Sequence, residues 1–335
     1  MDLPSELRCP EHRTELKLDN DNASQVLKCS LGCEFPIVNG IPRFVSPDNY
    51  AAGFGLQWKT FRKTQLDSYT CTNISRERLT RCLGGSLDLL RGKSVLEVGC
   101  GAGRFTELML AAGARVFACD LSSAVEANYD NCREWTDYFV CQADVCRIPV
   151  VPHSFDFVVC LGVIQHTPLP EETILALAGY VRPGGTLVLD HYSHDYPRNF
   201  LQRNLRRLLI RLPARVAKPI ALGLARALLP LHRLTWKNRR GLWRLRAPLL
   251  RQSPLIDYHD AYPQLGEKLL SEWSVLDTHD TLTDYYKHLR TTGEIEAALR
   301  SCGFTEIEIY YGGNGLEARG RMPAAPAGLG AVTRA

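Results

Sequence analysis

The 335-residue chain is marked by short apolar runs that alternate with helical stretches. Residues 94–99 (SVLEVG), 115–120 (RVFACD), 138–144 (YFVCQAD), 155–162 (FDFVVCLG) and 186–192 (TLVLDHY) read as strands rich in Val, Phe and Leu. Helical patterns lie between them, at Arg104–Ala112 and Glu171–Val181 among others. Strands alternating with helices predict βαβ units and a parallel sheet covered on both faces, an α/β fold. A helix over Thr292–Ser301 precedes two further runs, 304–311 and 316–319, which pair as a terminal hairpin in this reading.

Around that pattern the chain divides by composition. Residues 1–46 are turn-rich and carry cysteines, 47–91 are mostly polar and helical, and 92–194 hold the strand–helix core. Residues 195–262 are leucine-rich and basic, 263–319 return to a mixed pattern, and 320–335 form a loose Pro/Ala/Gly tail. The whole chain carries a net charge of +4, yet residues 196–256 contain fifteen Lys or Arg and no acid. The remainder is therefore acidic. Hydrophobic and charged fractions of 45% and 23% are globular values and exclude a disordered, collagen-like or coiled-coil chain. No run reaches the roughly 18–20 apolar residues that cross a bilayer. The first residues have no apolar signal region, so the twelve cysteines read as reduced thiols or metal ligands in a cytoplasmic protein.

The stretch VLEVGCGAGRFTEL at 95–108 is a strand, a glycine turn and a helix start. Gly99, Gly101 and Gly103 allow positive φ and close approach of a ligand to the backbone. Arg104 stands where a dinucleotide fingerprint has its third glycine, which argues against hydride transfer and a pyrophosphate. Asp120 ends the next strand, where a carboxylate accepts from both ribose hydroxyls. Asp144 ends the third strand, placed for an adenine amine with Val145 beside the ring. Glu97 lies inside the first strand, a costly site for a charge without a partner, and a ligand ammonium would supply one. The three acids suit a positively charged nucleoside with an amino-acid tail.

With E-x-G-x-G-x-G at 97–103, Asp120, the Asp144 strand end, FDFVVCLGVIQHT at 155–167 and RPGGTLVLDHY at 182–192, the chain resembles class I S-adenosylmethionine-dependent methyltransferases of the type 11 kind. The resemblance covers 92–194 in order and spacing. It implies a Rossmann-like seven-stranded sheet whose last strand is antiparallel. It implies that residues 99–103, with Gly99, Cys100, Gly101 and Gly103, hold the methionine part of the cofactor; Glu97 and Arg104 are further candidate cofactor-binding residues. Asp120 and Leu121 would take the ribose, and Asp144 and Val145 the adenine. Leu161 and Gly162, just past the fourth strand, would face the methyl group.

Methyl transfer needs alignment and a place for a proton. His166 is the candidate base, because histidine titrates near neutrality; a packing or capping histidine is the alternative. Candidate substrate residues are Gln57, Trp58, Gln165, His191, Tyr192, Tyr286 and His288. The cluster Asp277, His279, Asp280 and Tyr285 extends that wall, or else is a solvated loop. No motif for methylation of base amines or of cytosine carbon is present. The expected acceptor is a small molecule, a sugar or a lipid-linked compound, O-methylated first and N-methylated second.

Cys9, His12, Cys29 and Cys33 offer three thiolates and one imidazole in two knuckles, a donor set for structural zinc. The segment resembles the zinc ribbons that precede some methyltransferase domains, although His12 stands in a cysteine position and the second pair is spaced CxxxC. The stretch AGFGLQWKTFRKTQLDS resembles a segment of a subgroup of these enzymes. Gln57 and Trp58 would close the cleft, or Phe54, Leu56, Trp58 and Phe61 would pack on the core. In the basic block, arginines and leucines separate on a helical wheel, and Pro213 interrupts the helix. The block is an inserted helical lid, with peripheral membrane contact through 198–251 as one use of its basic face and nucleic acid disfavoured. A ribosomal RNA base methyltransferase and a non-catalytic cofactor-binding scaffold stand as rival functions.

Overall fold

A computed structural model describes residues 3–21, 24–46, 49–51, 55, 57, 58, 60–195 and 199–324. Phe54, Leu56, Arg198 and the end of the tail lie outside the described residues. The chain begins with a four-stranded antiparallel ribbon of β1 (Leu16–Asp21), β2 (Ser24–Cys29), β3 (Glu34–Val38) and β4 (Ile41–Pro42). A short helix α1 (Asp67–Thr70) and α2 (Ile74–Leu83) lead into the alternating core. That core runs β5 (Ser94–Val98), α3 (Thr106–Ala111), β6 (Arg115–Asp120), α4 (Val125–Cys132), β7 (Tyr138–Gln142), β8 (Phe155–Cys160), α5 (Pro170–Ala178) and β9 (Val181–His191). Three helices follow, α6 (Phe200–Leu209), α7 (Ala214–Lys237) and α8 (Arg239–Gln252). The chain closes with α9 (Gly266–Thr283), α10 (Thr292–Ser301), β10 (Thr305–Gly312) and β11 (Gly315–Arg321).

The large sheet has seven strands in the order β10-β11-β9-β8-β5-β6-β7. Strands β5 to β9 are parallel, and β11 is antiparallel to both its neighbours. Every residue of β5 is buried, as expected for a parallel strand covered on both faces. The strand order reverses between β5 and β6 on one side and β8 on the other, which opens a crevice at the strands' carboxyl ends.

Two expected boundaries move. Helix α5 stops at Ala178 because β9 starts at Val181, five residues before the apolar run that marks it in sequence. The helix after the glycine turn starts at Thr106, since Gly101 to Phe105 form turns. Pro213 does separate two helices, as its missing N–H and fixed φ require.

The ribbon is fastened to the sheet's β7 side. Leu7 bridges Val150, the Arg8 amide donates to Pro149 O at 2.8 Å, and the Val151 amide donates to Glu6 O at 2.8 Å. Arg43 pairs with Glu126 at 3.1 Å, and the Phe44 amide donates to Gln142 O at 2.8 Å, covering the exposed edge of β7. Leu7, Leu16 and Leu27 join the same apolar cluster as Leu96 and Phe117.

On the antiparallel side, α2 is held by two buried acids. Glu317 of β11 is fully buried and receives two bonds of 2.7 Å from Arg81, while Asp190 of β9 receives Arg78. Removing one partner of such a pair strands a desolvated charge. Arg81→Ala is therefore expected to lower the unfolding free energy by about 2–3 kcal/mol, less than the ~3–5 of a pair buried on both sides, because Arg81 is 42% exposed. Chemical denaturation measures this, and a change inside experimental error would contradict the pairing.

Candidate active site

The crevice at the strand ends is a cavity of about 470 Å³. Its floor is the glycine turn after β5. Gly99 has φ +75°, and a Cβ there would lie 2.1 Å from Val163 Cγ2, so a side chain would drive the β8 loop outward. Gly101 has φ +51° and faces the Trp58 ring, 3.4 Å from the place a Cβ would occupy. Cys100, Leu121, Val145, Leu161 and Gly162 also line the cavity.

Asp120, at the end of β6, ties this floor together. Its Oδ2 accepts from the Gly101 amide at 3.0 Å, and its Oδ1 accepts from the amide and hydroxyl of Ser122 at 2.8 and 2.7 Å. Burial raises its pKa despite those three donors. Glu97 lies behind the cavity wall and accepts from the Thr106 hydroxyl at 2.5 Å. Burial pushes its pKa up to about 8. Asp144 caps the turn after β7, accepting from the Cys146 amide at 2.8 Å, with Val145 carrying the lining at that point. Among the described residues no Lys or Arg forms an ion pair with Glu97, Asp120 or Asp144. Of these three acids only Asp120 lines the cavity, so this end offers one carboxylate without a cation.

The other end is built differently. Arg104 points away from the glycine turn, stacks over Phe105 and Trp273 at 5.2 and 5.5 Å, and donates to Ser75 Oγ and Gln65 Oε1. Burial brings its pKa down to about 10. Tyr258, Tyr262 and Trp273 form an aromatic wall, with Tyr262 and Trp273 stacked at 5.5 Å. Asp277 and Asp280 of α9 face the same space. Burial raises their pKa values to about 6 and about 7, and Asp280 Oδ1 has no hydrogen-bond partner. Arg78 and Asn314 enter from α2 and the β10–β11 turn, both reaching Asp190 Oδ2.

His166 lines the cavity beside Tyr192, with ring centroids 5.4 Å apart. Its Nδ1 donates to Tyr286 O at 3.0 Å and lies 3.5 Å from Asp284. Burial lowers its pKa, so the ring is neutral and Nε2 is its basic nitrogen. Gln57 and Trp58 also reach the cavity, where Gln57 Oε1 accepts from His279 Nδ1 at 2.8 Å. Phe61 packs with Leu222 and Val275 instead.

Several expected site residues do not line this space. Gly103 packs towards Cys132 and Asn128. Gln165, His191 and His288 are set behind the wall, and Tyr286 meets the site through its carbonyl bond to His166 and its ring contact with the lining residue Tyr50, centroids 5.5 Å apart. The side-chain amide of Gln165 and the Nε2 atoms of His191 and His288 are buried without hydrogen-bond partners. Arg78, Tyr258, Tyr262 and Trp273 were not legible as site residues, since their own neighbours in sequence carry no motif.

The four candidate metal ligands converge in the ribbon. Sγ of Cys9, Cys29 and Cys33 lies 3.8, 3.5 and 3.4 Å from His12 Nδ1, and all four ligand atoms fall within 4.8 Å of one another. Tetrahedral zinc with bonds of roughly 2.0–2.3 Å requires spacings of that size.

Residues 96–189 match the methyltransferase domain family. A ubiquinone biosynthesis O-methyltransferase of Aromatoleum aromaticum is 34% identical over 113 residues, covering 32% of this chain and 47% of that protein. Its counterpart in Dechloromonas aromatica is 34% identical over 116 residues, covering 33% and 49%. The match spans about half the length of these relatives. A Haemonchus contortus phosphoethanolamine N-methyltransferase, solved with phosphomonomethylethanolamine and S-adenosylhomocysteine, superposes with a TM-score of 0.45 at 15% identity over 79% of this chain and 47% of that one. Residues 96–189 are thus similar to methyltransferase domains of the class I, S-adenosylmethionine-dependent kind. Within that class, the relatives they are similar to include the ubiquinone-biosynthesis O-methyltransferases.

The buried acids set a pH dependence. Glu97 goes from an ordinary 4.5 to about 8 on folding, so the folded chain keeps a proton that the unfolded chain releases. The stability this confers is complete below about 4.5 and lost as pH rises through 8. Asp277 and Asp280 act in the same direction. Glu97→Gln keeps an acceptor for Thr106 and does not ionise. It should flatten, without abolishing, the fall in stability between about pH 4.5 and 8. Denaturant titrations across that range check this, and equal slopes in both proteins would refute the buried-proton assignment.

Proposed function

We propose that the chain transfers the methyl group of S-adenosylmethionine to a hydroxyl of a small, lipid-linked acceptor. The observation that carries this reading is Asp120, a carboxylate that lines the cavity at the glycine turn with no cation partner, which suits the hydroxyls of a nucleoside and disfavours a phosphate. In this reading Gly99, Cys100 and Gly101 hold the methionine part, Asp120 and Leu121 the ribose, and Val145 with Asp144 the adenine. Glu97, which burial keeps protonated up to about pH 8, supports the floor from behind through the Thr106 hydroxyl. When bound, the cofactor supplies an electrophilic methyl group that needs alignment more than activation.

His166 takes the acceptor's proton. Its Nδ1–H is fixed by Tyr286 O, so Nε2 is the atom that receives it, and burial keeps the ring neutral beforehand. Asp284, 3.5 Å away, stabilises the imidazolium that results. The aromatic wall and the protonatable Asp277 and Asp280 hold the acceptor. The similarity to ubiquinone-biosynthesis O-methyltransferases supports the oxygen acceptor and its lipid linkage.

Zinc at Cys9, His12, Cys29 and Cys33 is the second part of the proposal. A segment this small has little apolar mass, so a metal supplies much of its folding energy. Arg13 follows ligand His12 and donates to the carbonyls of Ile148 and Val150 at 3.1 and 3.3 Å, on the turn that carries Val145.

Isothermal calorimetry with S-adenosylhomocysteine tests the cofactor site. Gly101→Arg should abolish binding, and Asp120→Ala should weaken it by about 1–3 kcal/mol, as for a lost charged hydrogen-bond partner. Incubation with methyl-labelled cofactor and a cell extract should label the small-molecule or lipid fraction. No binding by the unaltered protein would defeat the reading outright, and label confined to RNA would favour the nucleic-acid rival.

Metal analysis of the purified protein should find zinc in equimolar amount, lost in Cys29→Ser. Removing zinc should also weaken S-adenosylhomocysteine, because the ribbon supports the Val145 turn through Arg13. A metal-free protein with full thermal stability would remove zinc from the proposal.

A further inference from the structure

Helix α7 has two apolar faces, and its own chain covers one. Ala217, Ala221, Leu222 and Ala225 are buried, packed with Leu209 and with Val275, Leu276 and Leu282 of α9. On the opposite side Val216, Ile220, Gly223, Ala227, Leu231 and Leu234 recur every three or four residues, and all six are exposed. Ile220 is 47% and Leu234 54% exposed. The neighbouring α8 exposes Trp243 at 61%, with the Arg244 guanidinium over its ring. Arg215, Arg226 and Arg233 fall along one border of the α7 stripe at helical spacing.

Acids elsewhere neutralise only part of this charge. Arg206 pairs with Asp284, Arg233 and Lys237 with Glu267, and Arg246 with Asp257 and Asp260. The block's other described arginines, Arg211, Arg215, Arg226, Arg240 and Arg251 among them, form no ion pair. Arg239 and Arg244 lie over Trp236 and Trp243. No helix among the described residues is long and apolar enough to cross a membrane.

We infer that the outward face of α7, with the basic surface of α6 and α8, docks on a membrane bearing anionic phospholipids. An exposed leucine stripe bordered by arginines seats its apolar side in the acyl boundary and its cations among the headgroups. An RNA surface would use the arginines and leave the leucines in water, and bases stack on aromatic rings that this stripe lacks. The inner face of α7 packs on α9, which carries Asp277 and Asp280 of the cavity wall. Docking therefore brings the bilayer within one helix of the cavity. The surface stands on exposure and charge alone, apart from the methyl-transfer reading.

The test is co-sedimentation of the full chain with vesicles of phosphatidylcholine alone, and with vesicles of phosphatidylcholine and phosphatidylglycerol in equal parts. Binding to the anionic vesicles should be at least about tenfold tighter and should weaken with added salt. Leu231→Glu combined with Leu234→Glu should lower it about tenfold. Arg226→Glu should lower it through charge at an independent position. Melting temperature and S-adenosylhomocysteine affinity should be unchanged in these variants, which separates this result from failure of the cofactor site. Equal partition onto both vesicle types, or sedimentation with neither, would overturn the inference. So would variants that bind vesicles as the parent does, or a leucine variant that retains duplex-RNA binding while the parent ignores lipid.

Discussion

The structure depends on how it satisfies carboxylates buried within its large sheet. A charge there has lost its water and needs a partner. On the antiparallel side the chain provides one, since Asp190 receives Arg78 and Glu317 receives Arg81, both from α2. On the β5–β6 side it provides only hydroxyls and amides, so Glu97 and Asp120 have raised pKa values. The same chemical group is thus used in two ways. Paired with arginine it fixes a helix against the sheet, and without a cation it is held by hydroxyl and amide donors and keeps its proton more readily.

Much of this was legible because it is local. The strands are continuous apolar runs, the glycine turn joins adjacent elements, and Asp120 is marked by its distance from that turn. The zinc-type ligands could be read from spacing alone, and the structure brings the four atoms together. The start of β9 lies before its apolar run because Arg182 to Gly185, which look like a turn, form a bulge between the pairs Phe155–Val181 and Phe157–Thr186 with β8.

The remainder was illegible because its partners are remote in sequence. Arg81 and Glu317 are separated by 236 positions and Arg78 and Asp190 by 112, and neither arginine stands in a motif. The aromatic wall of Tyr258, Tyr262 and Trp273 comes from two segments joined by a tight turn at Leu265 and Gly266, and only packing makes it one surface. Arg104, expected at the cofactor, instead reaches the far end of the cavity, because Gly103 turns the chain before the helix begins.

Charge distribution adds an orienting effect that net charge conceals. The chain is +4 overall, but its basic residues concentrate in three consecutive helices while the body that holds the cavity is acidic. Against an anionic surface such a molecule experiences a torque: the helical block is attracted and the body is repelled. The exposed stripe of α7 would then meet the surface first, with the aromatic wall and α9 behind it. A neutral insertion of the same shape would present its leucines without that bias. The separation of charge, more than its total, is what allows one face of this fold to be selected.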